Sequence, residues 1–212
     1  MKNRGCFLLL PLLALAGNAK TVSAQTSALQ VQVYDYTGLN PAVLHEFVAL
    51  TQKILARSGI SLQVNACAEG GAACESHTGS SRQVVLRVVA DTGKNMKNAR
   101  METLGQSVVY HDGGTYATVF LKPAEKKASD ANLPLIVVLA YAAAHEIGHL
   151  LLGDQSHTPR GLMKAIWNTD DFRAMAESDL HFSPGQAREL SSRYGTAHQA
   201  EVSAGTAVAV RR

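Results

Sequence analysis

Apolar and polar residues alternate from Leu29 to Tyr34 (LQVQVY), the period of a strand with one buried face. Gly38-Leu39-Asn40-Pro41 then reads as a turn and a helix start, with Asn40 as N-cap and Pro41 in the first position. Leu44, Phe47, Val48, Thr51, Ile54 and Leu55 recur at helical spacing to about Ser58, and Gly59 ends the helix. Ile60 to Ala66 predicts a second strand, and the β-branched run Val84 to Val89 (VVLRVV) a third. Ala90 to Arg100 reads as a polar, solvated loop. Gly105 to Tyr110 and Thr115 to Leu121 predict two more strands, joined at Asp112-Gly113-Gly114, a hairpin signal. Lys122 to Asn132 is charged and reads as a connector.

From about Pro134 to Leu152 apolar residues surround the helix axis, which predicts a helix through the core. A loop follows Gly153, then a polar helix near Thr169 to Glu177. A last helix opens at Ser183-Pro184 and ends near Tyr194. No internal repeat is visible. Strands mixed with two long helices predict an α+β domain rather than regular βαβ winding.

Composition narrows the class. A chain of 212 residues suits one domain, and 46% hydrophobic against 17% charged residues excludes a charge-rich disordered protein. The formal charge is +3, but Lys2, Arg4 and Lys20 lie in residues 1–24, which contain no acid. Without them 17 basic residues face 17 acidic ones, so the body lacks the positive field that nucleic acid requires, and no nucleic-acid partner is expected.

Residues 1–24 read as a secretory signal peptide: a basic start, an apolar run from Phe7 to Gly17, and Val22-Ser23-Ala24 before the cut. The run is too short to span a bilayer and contains Pro11, so no stable membrane insertion is expected after its removal. The later apolar run, Leu133 to Ala144, leads straight into His145, Glu146 and His149. The expected product is secreted or periplasmic, with a domain at 25–195 and a disordered tail at 196–212. Only Cys67 and Cys74 remain beyond the signal; they flank a Gly-rich stretch and predict a disulfide that pins a surface loop by about 2–3 kcal/mol.

The chemistry concentrates in His145-Glu146-Ile147-Gly148-His149 on the core helix. Histidines four apart lie about 40° apart around the axis and roughly 6 Å along it, so both rings reach one ion. Glu146 stands beside them, able to touch a metal-activated water without being a ligand. A lone H-E-x-x-H also arises by chance. Here it follows wholly apolar turns, where a carboxylate is costly without a partner. Gly153 then lets the chain leave the helix through a left-handed turn, and His157 follows where a turning chain brings it back over the pair. Three protein ligands and an open fourth position are what hydrolytic zinc sites use. Zn²⁺ lowers the pKa of water toward ~7, and a carboxylate base then moves its proton to the leaving nitrogen.

The run from His145 through Gly153 to His157, followed by Gly161-Leu162-Met163, resembles the metzincin group of zinc metallopeptidases, whose pattern is H-E-x-x-H-x-x-G-x-x-H with a later Met-turn. Their order of strands and helices is also similar from Leu29 onward. The resemblance implies a zincin fold with a twisted mixed sheet on two long helices and small C-terminal helices. It implies peptide or protein substrates, Zn²⁺ on His145, His149 and His157, Glu146 as general base, and Met163 as the Met-turn residue. It further implies a specificity pocket near Met163 and Trp167, and that Thr115 to Leu121 is the edge pairing with an extended substrate. The sequence departs from the pattern as H-E-x-x-H-x-x-x-G-x-x-x-H, each later spacer holding one more residue.

That departure keeps Glu177 open as a rival third ligand, as in gluzincins. A zinc-stabilised binding protein without turnover and a hydrolase of non-peptide amides also remain open. No unpaired cysteine stands upstream within the mature chain, so cysteine-switch latency is not expected. Asp154 reads as an exposed turn residue. His45-Glu46 has Ala49 where a second ligand would stand, and His77, His111, His181 and His198 carry no motif. All five histidines read as surface or internally satisfied.

Overall fold

The computed structural model describes residues 28–60, 62–67, 83–92, 103–109, 115–153 and 155–195. Residues 1–24, expected to be a signal peptide, residues 196–212, expected to be a tail, the hairpin turn expected at Asp112-Gly113-Gly114, and Cys74, Asp154, His77, His111 and His198 lie outside them. The cysteine pairing therefore does too, although Cys67 itself is buried at the end of its strand.

The described elements run β1 (Leu29–Asp35), α1 (Pro41–Ala56), β2 (Leu62–Cys67), β3 (Gln83–Val89), β4 (Gly105–Val109), β5 (Thr115–Phe120), α2 (Leu121–Ala131), α3 (Leu135–Leu152), α4 (Thr169–Ala176) and α5 (Pro184–Tyr194). The five strands form one mixed sheet in the order β2-β1-β3-β5-β4. The first four are parallel neighbours, and β4 joins β5 antiparallel. The molecule is a mixed α+β structure, with α1 and α3 packed on each other and α3 against β4 and β5.

Alternation along the strands has the expected result: Leu29, Val31 and Val33 of β1 and Val84, Leu86 and Val88 of β3 are buried. Asn40 caps α1, its side chain accepting from the Ala42 N–H at 2.9 Å, with Pro41 in the first turn. In α3 every residue from Val138 to His149 is buried. Its length and apolar character would suit a membrane span, but here it is the helix around which the core is built.

Two expectations are corrected. Lys122 to Asn132 is not a connector but most of α2. Its Lys, Glu and Ala residues are good helix formers, and Pro123 falls in the first turn, where its missing N–H costs nothing. Pro123, Ala124 and Ala128 form the buried stripe, and Asn132 ends the helix in the left-handed conformation (φ 52°). Second, Thr115 to Leu121 is not an edge. Its strand β5 lies between β3 and β4, so among the described residues the outer strand on this side is β4.

The packing around α3 predicts that Leu139→Ala, at a fully buried position, lowers unfolding stability by about 2–5 kcal/mol in urea titration. Ile166→Ala, at a residue 67% exposed, should change it by less than about 0.5 kcal/mol.

Candidate metal centre

His145, Glu146 and His149 sit in the last turns of α3, and all three are buried, at 8%, 7% and 7% exposure. His157 reaches them from the loop that follows and is itself exposed. The ligand atoms of the three histidines lie within 4.8 Å of one another. His149 Nε2 is 3.1 Å from His145 Nε2 and 3.1 Å from His157 Nε2.

Hydrogen bonds at the far side of two rings hold their orientation, and one of them fixes a tautomer. His145 Nδ1 lies 2.8 Å from the Leu162 carbonyl oxygen, which can only accept, so Nδ1 carries the proton and the neutral ring turns a bare Nε2 inward. His149 Nδ1 lies 3.0 Å from Ser156 Oγ, a hydroxyl that can accept or donate, so this contact orients the ring, and Nε2 is bare when Nδ1 is the donor. Zinc–nitrogen bonds of about 2.0–2.1 Å at tetrahedral angles set neighbouring nitrogens about 3.3 Å apart. The two 3.1 Å separations are close to that spacing, and the three histidines are positioned to bind a divalent ion such as zinc.

The loop makes room for its longer spacers in an identifiable way. Gly153 ends α3 at φ 99° and ψ 166°. This is not the left-handed helical turn expected there but an extended, positive-φ conformation that is essentially restricted to glycine. Ser156 then hydrogen-bonds His149, while its own carbonyl accepts from Gln186 Nε2 at 2.7 Å. Gln186 lies in the first turn of α5 and also accepts from Ser183 at the cap. The loop is thus tied to α5 just before His157. Beyond it, the Thr158 N–H donates to the Met163 carbonyl at 2.9 Å.

Met163 is fully buried, and a β-carbon on Gly148 would lie 2.6 Å from its sulfur, so α3 and Met163 meet at a glycine. The preceding Leu162 is held by its N–H to the His181 carbonyl at 2.7 Å. Its own carbonyl accepts from both His145 and Trp167 Nε1. The Trp167 ring stands edge-on to His145 with centroids 5.5 Å apart.

Glu146 points toward β4. A β-carbon on Gly105 would lie 2.6 Å from Glu146 Cγ and 2.8 Å from the Thr118 carbonyl oxygen. No side chain fits at Gly105 without displacing the acid or the strand. Burial raises the Glu146 pKa to about 8, while a hydrogen bond from Ser107 works in the opposite direction. Burial lowers the His145 pKa to about 4; the Leu162 carbonyl opposes this, and the neighbouring His149 and His157 add to it.

Sequence reasoning missed Gly105, Ser107, Ser156 and Gln186. Gly105 stood at a strand start and Gln186 three residues after a cap serine, but neither spacing reveals a contact with the site. Glu177 does not join the cluster: it is the exposed C-cap residue of α4. His45 is exposed on α1, and His181 is exposed beside Asp179.

The histidines and Glu146 line a cleft of about 480 Å³, whose other walls include Leu104, Lys127, Ile166, Trp167 and Phe172. No protein-family model matches the sequence, and no curated protein matches it. The fold is similar to that of a zinc-dependent peptidase. The crystal structure of that protein, from Methanocorpusculum labreanum, aligns with a TM-score of 0.54 and 13% identity, covering 76% of this chain and 99% of the other. At that identity the likeness establishes the fold, while the chemistry rests on the residues of this chain.

The two shifted groups predict opposite pH effects in the metal-free protein. Between about pH 4.5 and 8, folded Glu146 holds a proton that the unfolded chain releases, so stability falls as pH rises. Between about pH 4 and 6.5, unfolded His145 binds a proton that the folded state refuses, so stability falls as pH drops. From pH 6.5 to 8 only the first effect operates, and Glu146→Gln should flatten the loss seen there in urea midpoints. Gly105→Ala should destabilise by about 1–3 kcal/mol through overpacking against the same carboxylate, measured in the same titration.

Proposed function

We propose that this chain is an exported zinc-dependent peptidase of metzincin type, cleaving peptide or protein substrates. The observation that carries the reading is the convergence of three inward-facing imidazole nitrogens beside a buried carboxylate in an open cleft. His145, His149 and His157 would hold the zinc, with Met163 as the methionine beneath it. Bound zinc supplies Lewis-acid polarisation, which lowers the pKa of water toward ~7 and draws charge from a substrate carbonyl.

The remaining work belongs to side chains of this protein. Glu146 takes the proton of the attacking water and delivers it to the departing amine nitrogen, so that the amine leaves neutral. Ser107 and the bare Cα of Gly105 keep the carboxylate against β4 while it does so. As the outer strand beside the cleft, β4 offers an edge on which an extended substrate can add main-chain hydrogen bonds. The basic, apolar and small-residue pattern of residues 1–24 supports export.

A zinc-stabilised binding protein is the competing reading. A purely structural zinc site is closed by a fourth protein ligand, whereas the cluster among the described residues supplies three and opens onto a cleft. Glu146→Gln is expected to keep stoichiometric zinc and lose about 10²- to 10⁴-fold in kcat against a peptide library. His145→Ala and His157→Ala are expected to lose the metal by elemental analysis. Equal turnover in wild type and Glu146→Gln would overturn the assigned mechanism.

A further inference from the structure

The metal cleft does not end at the histidines. A second hollow of about 570 Å³ adjoins it, and Lys127, Trp167 and Phe172 line both. Trp167 and Phe172 pack edge to face with centroids 6.4 Å apart, giving the junction an aromatic wall. Lys127 stands on α2, the helix that charge alone had marked as a connector, and is half-buried there.

Charged side chains around this junction are mostly committed to one another. Lys164, also in the cleft wall, is ion-paired with Asp171 at 2.5 Å, both side chains largely buried. Asp130 pairs with Lys126, and Asp170 with Arg173. Glu146, the acid among the cleft-lining residues, lies on the α3 side against β4. We infer that Lys127 is a specificity-determining residue that binds a peptide carboxylate close to the scissile bond, whether an Asp or Glu side chain or a free C-terminus. The inference rests on the peptidase reading.

The physical reason is that half-buried Lys127 shares the lining of both hollows with Trp167 and Phe172, and beside such rings a charge-assisted hydrogen bond is less screened than in open water. An ammonium has three N–H donors, so a contact it already makes leaves others for an incoming oxygen. The apolar wall formed by Trp167 and Phe172 takes the methylene part of the same side chain. An uncharged substrate of equal size keeps that apolar contact and loses the ionic one.

Trp167 is the single tryptophan of the chain, so its fluorescence reports occupancy of the junction directly. Zinc-loaded Glu146→Gln protein is titrated with matched peptides carrying Glu or Gln at each position, with free or amidated C-termini. The same peptides are assayed for kcat/KM with active protein. A carboxylate should improve Kd and kcat/KM about tenfold, the preference should vanish in Lys127→Met, persist in Lys127→Arg and invert in Lys127→Glu. The two peptide sets tell a side-chain carboxylate from a terminal one. Equal binding of charged and neutral peptides by the parent protein, or a preference that survives Lys127→Met, would overturn the inference. If zinc is bound and no peptide is cleaved by the active protein, the peptidase reading fails separately, and the fluorescence titration still decides the role of Lys127.

Discussion

Three imidazole nitrogens converge here within 4.8 Å of one another, and bare lone pairs brought so close repel unless a cation lies among them. Nothing in an isolated helix enforces that arrangement. It is enforced at the outer nitrogens, where the Leu162 carbonyl fixes the tautomer of His145 and Ser156 engages His149. Each anchor is held in turn, Leu162 by the His181 carbonyl and the Ser156 segment by Gln186. The small C-terminal elements are therefore part of the centre, because they hold the atoms that orient the rings of His145 and His149.

The same helix carries two conflicting demands. From Val138 onward α3 must be apolar to fill the core, yet its last turns must bury a carboxylate and two imidazoles. Burial of an ionisable group is unfavourable unless something compensates it. In the metal-free protein both groups move toward their neutral forms, with Glu146 holding its proton and His145 refusing one. A divalent cation held by the histidines would reverse that balance at Glu146 by favouring the carboxylate. The sheet contributes by absence: Gly105 leaves the space in β4 into which Glu146 fits.

Much of this architecture was legible in the chain. Strand alternation in β1 and β3, the Asn40-Pro41 helix start and the all-round apolar character of α3 follow from side-chain periodicity, which is local. The pairing of His145 with His149 was legible for the same reason, since helical spacing alone puts both on one face. Helix α2 was obscured because its buried stripe consists of Pro123, Ala124 and Ala128, small residues among conspicuous charges. The position of β5 inside the sheet depends on where β4 folds back, and strand order is not encoded in the period of either strand. Gly105 and Gln186 escaped notice because each acts across a long sequence separation on a partner that only the tertiary fold brings near, and Ser156 because its reach back to His149 depends on how the chain leaves α3.

The enlarged spacers around Gly153 show why a motif's spacing is weaker evidence than its anchors. Each added helical residue would rotate a rigid exit by about 100° and spoil the approach of a third ligand. The chain avoids this by leaving the helix at Gly153 in an extended conformation, so that helical phase is lost at that residue. What then sets the position of His157 is the pair of tethers on either side of it, Ser156 to Gln186 and Thr158 to Met163. A loop so tethered can vary in length between Gly153 and Ser156 while delivering the same nitrogen to the same place. The constraint on the third ligand thus lies in α5 and in the Met163 segment rather than in the count of residues after His149.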